Sequence, residues 1–179
     1  MRALKNLIMV LTALVIVPGL LRAKVESGPP AEAKVEALKV VVATGDAAGK
    51  ELDFAAYRKG KPTVYAFFQP DKRDRPMARF LKVLDKELGV SDVQIVAVWL
   101  IEDVEKSKGY LPKAQGSFQL SQTTFAVHPG DKNGPAKWSI NPDAHLTVVV
   151  AKGNKVIASL GYRSVNETDV PAVMKKVKP

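Results

Sequence analysis

Asp71 and Asp74 stand three residues apart in AFFQPDKRDRPMARF, between an apolar run and an amphipathic segment, with Lys72, Arg73 and Arg75 around them. Carboxylates placed there have two chemical uses. The first-turn amides of a helix lack internal partners and the helix dipole favours negative charge, so an aspartate stabilises a helix start by about 0.5–2 kcal/mol. Carboxylates are also metal ligands in general, but sequence spacing sets no imidazole beside these two. Pro76 suits a first helical turn, which agrees with the capping use.

Several other chemistries have no residues to carry them. The 179 residues include no cysteine, so no thiolate is present to attack a disulfide or a peroxide, and packing alone must hold the fold. There is no Gly-rich phosphate loop, no serine nucleophile elbow and no internal repeat. His128 precedes Pro129 and reads as a turn residue. HPGDKNG offers Asp131 and Asn133 but lacks the later carboxylates of a calcium loop. Trp99 and Trp138 read as core or loop-packing residues.

The elements that position these residues follow from periodicity. LKVVVAT, PTVYAFF, VQIVAVWL and a short run at 123–127 read as strands, and HLTVVVA with KVIASLGY reads as a hairpin about Lys152, Gly153 and Asn154. Met77, Phe80, Leu81, Leu84 and Leu88 recur at helical spacing, while Arg79, Lys82, Asp85 and Lys86 fall off that apolar face; Gly89 stops the helix. Asp103 caps a second helix, which Pro112 is expected to break. A final helix buries Val170, Val173, Met174 and Val177 and is capped by Ser164 with Glu167, or by Thr168.

Length and composition set the frame. A chain of this size less a leader makes one domain, and 46% hydrophobic residues exclude a disordered one. Residues 1–23 combine Arg2 and Lys5, an apolar run, and Pro18-Gly19 before Ala23, the pattern of an export signal or, uncleaved, of an N-terminal anchor. The expected location is therefore the periplasm, free or anchored to the membrane. Residues 24–37, rich in Pro, Ala and Glu, read as a spacer, leaving 38–179 as the folded domain. The formal charge is +9; the leader holds three of the bases and no acid, leaving +6 on the remainder. Those charges are dispersed along the chain and read as a solvated surface rather than a nucleic-acid face.

The element order implies an α/β fold with a mixed central sheet and helices on both faces. It resembles the thioredoxin-like superfamily, in particular its exported thioredoxin-like and peroxiredoxin-like branch. GKPTVYAFF is similar to that group's GK-x-x-x-x-x-F strand, TTFAVHPG to its second-half strand and turn, WSI to its YGV segment, and HLTVVVAKGNKV to its PTTFLIDKDGKI hairpin. The resemblance covers residues 38–178 and implies a three-layer thioredoxin-like sandwich. It lays AFFQPDKRDR over the F-x-x-x-W-C-x-x-C-K loop, so that Asp71, Lys72, Arg73 and Asp74 replace the CxxC. It also sets that loop against Asp143, Ala144 and His145. His145 falls where the family has a cis-proline, and Pro142 lies three residues earlier.

Two functions follow from the resemblance. The first is a redox-inactive, non-enzymatic module that binds or scaffolds a protein or peptide outside the cytoplasm, using the groove beside the former CxxC, with Lys72, Arg73 and Arg75 favouring acidic partners. It implies no cofactor, no nucleic acid, and membrane contact only through an uncleaved leader. The alternative is a metal-binding or metal-dependent protein in which Asp71, Asp74 and His145 hold zinc, copper or manganese, with Asp143 nearby.

Overall fold

The computed structural model describes residues 24–178 except Val90, Glu102 and Lys132; the expected leader at 1–23 lies outside the described residues. Eight strands form one sheet: β1 (Lys24–Val25), β2 (Lys39–Val42), β3 (Glu51–Asp53), β4 (Thr63–Phe68), β5 (Gln94–Ile101), β6 (Thr123–Pro129), β7 (Leu146–Lys152) and β8 (Lys155–Tyr162), in the order β1-β8-β7-β4-β5-β6-β2-β3. β4, β5 and β6 are parallel neighbours, and β7, β8 and β1 add antiparallel strands beyond β4. Four helices accompany them: α1 (Phe54–Arg58), α2 (Arg75–Leu88), α3 (Val104–Phe118) and α4 (Val170–Val177).

Right-handed crossovers that advance in one direction leave their helices on one face of the sheet. Accordingly α2 and α3, which join β4 to β5 and β5 to β6, share a face with α4. Phe80, Leu84, Leu111 and Val173 pack there against Ala66, Ala97, Phe125 and Val148. The opposite face carries α1 through Phe54, the loop residue Trp138, and the N-terminal segment through Ala33 and Val35. Helices thus cover both faces, but the second has a single short one.

Asp85 departs from the sequence expectation. It was placed on the polar side of α2, yet it is buried, and its carboxylate accepts from Ser121 N (2.9 Å), Gln122 N (2.9 Å) and the Thr123 hydroxyl (2.7 Å). These donors are the approach to β6, so one charged side chain ties the last turns of α2 to a strand two positions away in the sheet. Hydrogen bonds to a buried carboxylate are strong, and they leave costly orphan donors when it is removed.

The segment 24–37 is not a spacer. β1 pairs with β8, Glu32 N donates to Val156 O, Val35 N donates to Asn154 O, and the Ser27 hydroxyl shares a 2.6 Å hydrogen bond with that of Thr147. The pairing is largely through backbone, which Pro- and Glu-rich composition does not reveal, and it covers an edge that β8 would otherwise leave open. Gly161 makes this approach possible: a Cβ there would collide with the Val25 carbonyl and lie 2.8 Å from Ser27 Cβ.

Two helix expectations also change. Pro112 lies inside α3 and does not break it, because buried Ser107, Leu111 and Ala114 hold both halves of the helix against the domain. The start of α4 is capped by Asn166 with Asp169 in a reciprocal capping box, one turn of 3-10 helix ahead of it, rather than by Ser164 or Thr168.

Replacing Asp85 by alanine is expected to lower the unfolding free energy by about 2–4 kcal/mol, read from urea midpoints; an unchanged midpoint would show that the clamp contributes nothing. Alkali gives a second expectation. Burial pushes Tyr65 up from 10.0 to about 12, and burial, helped by the charge of Asp169, pushes Tyr162 up to about 12. The folded state therefore holds protons that the unfolded chain releases, so stability should be complete below pH 10 and fall between pH 10 and 12. Tyr162→Phe should shallow that fall in pH-dependent thermal melts; an unaltered slope would contradict the burial argument.

Candidate functional site

The loop of interest leaves the carboxyl end of β4. TVYAFF is buried throughout, and after Gln69 a single 3-10 turn, Pro70–Lys72, leads to the start of α2. Asp74 has extended backbone and its carboxylate accepts from Met77 N at 2.8 Å, so it is the N-cap of α2, with Pro76 in the first turn. Asp71 sits in the 3-10 turn and is exposed. The loop aspartates are thus one cap and one turn residue.

The loop at 141–145 lies beside this one. Phe67 pairs with Thr147, which sets the end of β4 beside the start of β7, and Lys72 Nζ donates to Pro142 O across the gap. Asn141 shapes this second loop: its side chain accepts from Asp143 N at 2.9 Å, and its carbonyl accepts from Ala144 N at 3.0 Å. Ala144 is buried, Asp143 is exposed and pairs with Arg163 at 3.4 Å, and His145 N donates to Tyr162 O at 2.8 Å. No cis peptide bond occurs among the described residues.

The metal ligand set is not assembled. Among the described residues no group of three histidine, aspartate or glutamate side chains is placed to hold a metal ion, so Asp71, Asp74 and His145 do not converge. The Asp74 carboxylate serves the helix start, accepting from Met77 N through Oδ1. His128 Nδ1 donates to Lys39 O at 3.0 Å, and Asp131 accepts from Asn133 N, so both serve turns and strand ends.

Sequence reasoning missed two features. The Arg73 guanidinium lies over the rings of Tyr110 (5.3 Å to its centroid) and Trp99 (5.9 Å), closing a small apolar pocket walled by Phe68, Met77, Leu81 and Phe118. Trp99 in turn packs edge-on against Phe68, 5.4 Å between centroids. Helical spacing displays neither contact, because they join β4, β5, α2 and α3. The second is a broad groove of about 660 Å³ beside β6, lined by Glu36, Lys39, His128, Asp131 and Lys137. It lies at the same end of the parallel strands but away from the loop pair.

Comparison with known proteins agrees with this geometry. Among solved structures, an uncharacterized thioredoxin-like protein from Porphyromonas gingivalis matches with a TM-score of 0.54 and 20% identity, over 80% of this chain and 89% of that one. A secreted disulfide oxidoreductase of Mycobacterium tuberculosis matches at 0.52 and 14% identity, over 78% and 93%. The fold is thioredoxin-like. A peroxiredoxin-like protein from Aquifex aeolicus also matches this thioredoxin-like chain, at 0.53 and 16% identity, over 84% and 91%. No protein-family model matches the sequence, and no curated protein does. With no cysteine to form a thiolate, this chain has the thioredoxin-like fold without its thiol redox chemistry.

If Asp74 is a cap, Asp74→Ala should destabilise the protein by about 0.5–2 kcal/mol, whereas Asp71→Ala should stay within about 0.5 kcal/mol. Zinc, copper and manganese should leave the melting temperature of the wild type unchanged. A metal-dependent rise that Asp71→Ala abolishes would contradict the placement of these side chains.

Proposed function

We propose that this chain is a non-catalytic thioredoxin-fold module that binds an extended, acidic protein or peptide segment outside the cytoplasm. The observation that carries the reading is the retained apposition of residues 69–75 and 141–145, with Lys72 linked to the Pro142 carbonyl, in a chain whose loop has no reactive atom. In this fold that apposition forms the groove in which polypeptide lies, and a binding surface survives loss of the thiols. The rim is basic: Arg73 and Arg75 are exposed, and Arg163 stands across from them, partly balanced by Asp143. Such a rim favours acidic segments and disfavours basic ones, mainly through association rate.

Export rests on the sequence pattern of residues 1–23, in keeping with the secreted disulfide oxidoreductase among the structural matches. Among the described residues no helix is long and apolar enough to cross a membrane.

The test uses extended peptides of alternating Glu and Thr, with Lys and Thr peptides as the opposite case. Wild type should prefer the acidic series, and a variant carrying Lys72→Glu, Arg73→Glu and Arg75→Glu should lose roughly tenfold or more in affinity for it. Equal affinity of the two series, or unaltered binding in the variant, would overturn the reading.

A further inference from the structure

The opposite end of the sheet carries a second surface. Here the chain turns three times: residues 59–61 lead into β4, residues 152–155 form the hairpin turn between β7 and β8, and α4 ends. Gly153 N donates to Gly60 O at 2.8 Å, so the first two turns are fixed to each other. Lys34 bridges to Lys155 in the ladder, which adds the N-terminal segment. Lys34, Lys59, Lys61, Lys152, Lys155 and Lys176 are all exposed there. In sequence they are spread over 143 positions, from Lys34 to Lys176, and only the fold gathers them. Among the described residues the acidic side chain that ion-pairs with them is Glu32, 3.2 Å from Lys155, and both members are largely exposed, which makes the pair weak.

A small apolar cleft adjoins this lysine cluster. Pro62, Val93, Ile157 and Val177 line it, with Lys152 and Lys176 at its margin. Arg58, the one arginine nearby, is turned inward, its Nε donating to the Thr63 hydroxyl and its Nη2 to Pro62 O. Flexible lysines without an outward guanidinium fork suit a diffuse layer of anionic headgroups better than the fixed phosphates of a duplex, which arginine reads bidentately. An apolar cleft with cationic stems beside it is the arrangement of an interfacial contact, in which methylene stems lie along the acyl boundary and ammonium groups stay at the headgroups.

From this juxtaposition of a lysine cluster and an apolar cleft we propose that the end of the domain formed by residues 59–61, 152–155 and the last turn of α4 docks on an anionic phospholipid bilayer. The surface is a membrane contact beyond the one expected of an uncleaved leader. It also has an orientation. Lys24 pairs with Tyr162 at the loop end of the sheet, so a domain seated on its lysine end presents the loops at 69–75 and 141–145 away from the bilayer.

The sheet, the four helices and both apolar clusters of the described residues lie within 24–178, so residues 24–179 hold one packed core and can be tested without the apolar leader. Sedimentation with phosphatidylcholine vesicles containing one third phosphatidylglycerol, at low and high salt, reads the contact directly. Binding should appear on the anionic vesicles at low salt, be absent on pure phosphatidylcholine, and fade at high salt. At about fivefold per lysine, Lys152→Gln with Lys176→Gln should weaken it roughly 30-fold, and Lys59→Gln with Lys61→Gln, on different elements, should do the same. All four side chains are exposed, and circular dichroism confirms folding of each variant. Lack of binding to anionic vesicles, equal binding to neutral ones, indifference to both double variants, or tighter binding to duplex DNA than to vesicles at the same salt would each overturn the proposal.

Discussion

The structure depends on how α2 is held. Asp74 satisfies an orphan amide at its first turn, and Asp85 receives four hydrogen bonds from the strand approach at 121–123 near its last. Between them the apolar face from Met77 to Leu88 lies on the central strands. With both ends fixed, the loop at 69–73 has little freedom, and its contact with Pro142 follows from the placement of β4 beside β7. A helix start that positions reactive sulfurs in thiol enzymes of this fold is here fixed by carboxylates, which position nothing reactive.

Much of this was legible in the sequence. Continuous apolar runs such as VQIVAVWL mark strands buried on both faces, and the spacing of Met77, Phe80, Leu81, Leu84 and Leu88 marks the α2 stripe. The unread parts have specific causes. Asp85 looked like a surface charge because its partners lie more than thirty-five residues away. The segment 24–37 looked like a spacer because backbone pairing and a glycine opposite it leave no apolar pattern. Pro112 looked like a break because propensity, worth about 3 kcal/mol, is overridden when flanking residues are buried.

The site was legible only in part for the same reason. DKRD announced two carboxylates at a helix start, and the structure assigns Asp74 to the cap that local sequence supports. Their meeting with His145 depended on three-dimensional placement, and among the described residues no three such side chains are placed to hold a metal ion. Likewise the seat of Arg73 on Tyr110 and Trp99, and the gathering of lysines at the far end, join elements that sequence order keeps apart. The molecule has two basic ends with different builds: arginines beside paired loops, and a cluster of lysines beside an apolar cleft.

Because both ends are basic, location discriminates better than affinity. The most direct measurement is an amide chemical-shift map of isotopically labelled residues 24–179 titrated with an alternating Glu and Thr peptide. The account predicts perturbations concentrated at residues 69–75 and 141–145, with Lys59, Lys61 and Lys152 little changed. Perturbations confined to the lysine end, or spread evenly over exposed lysines, would contradict a peptide-binding role for the paired loops.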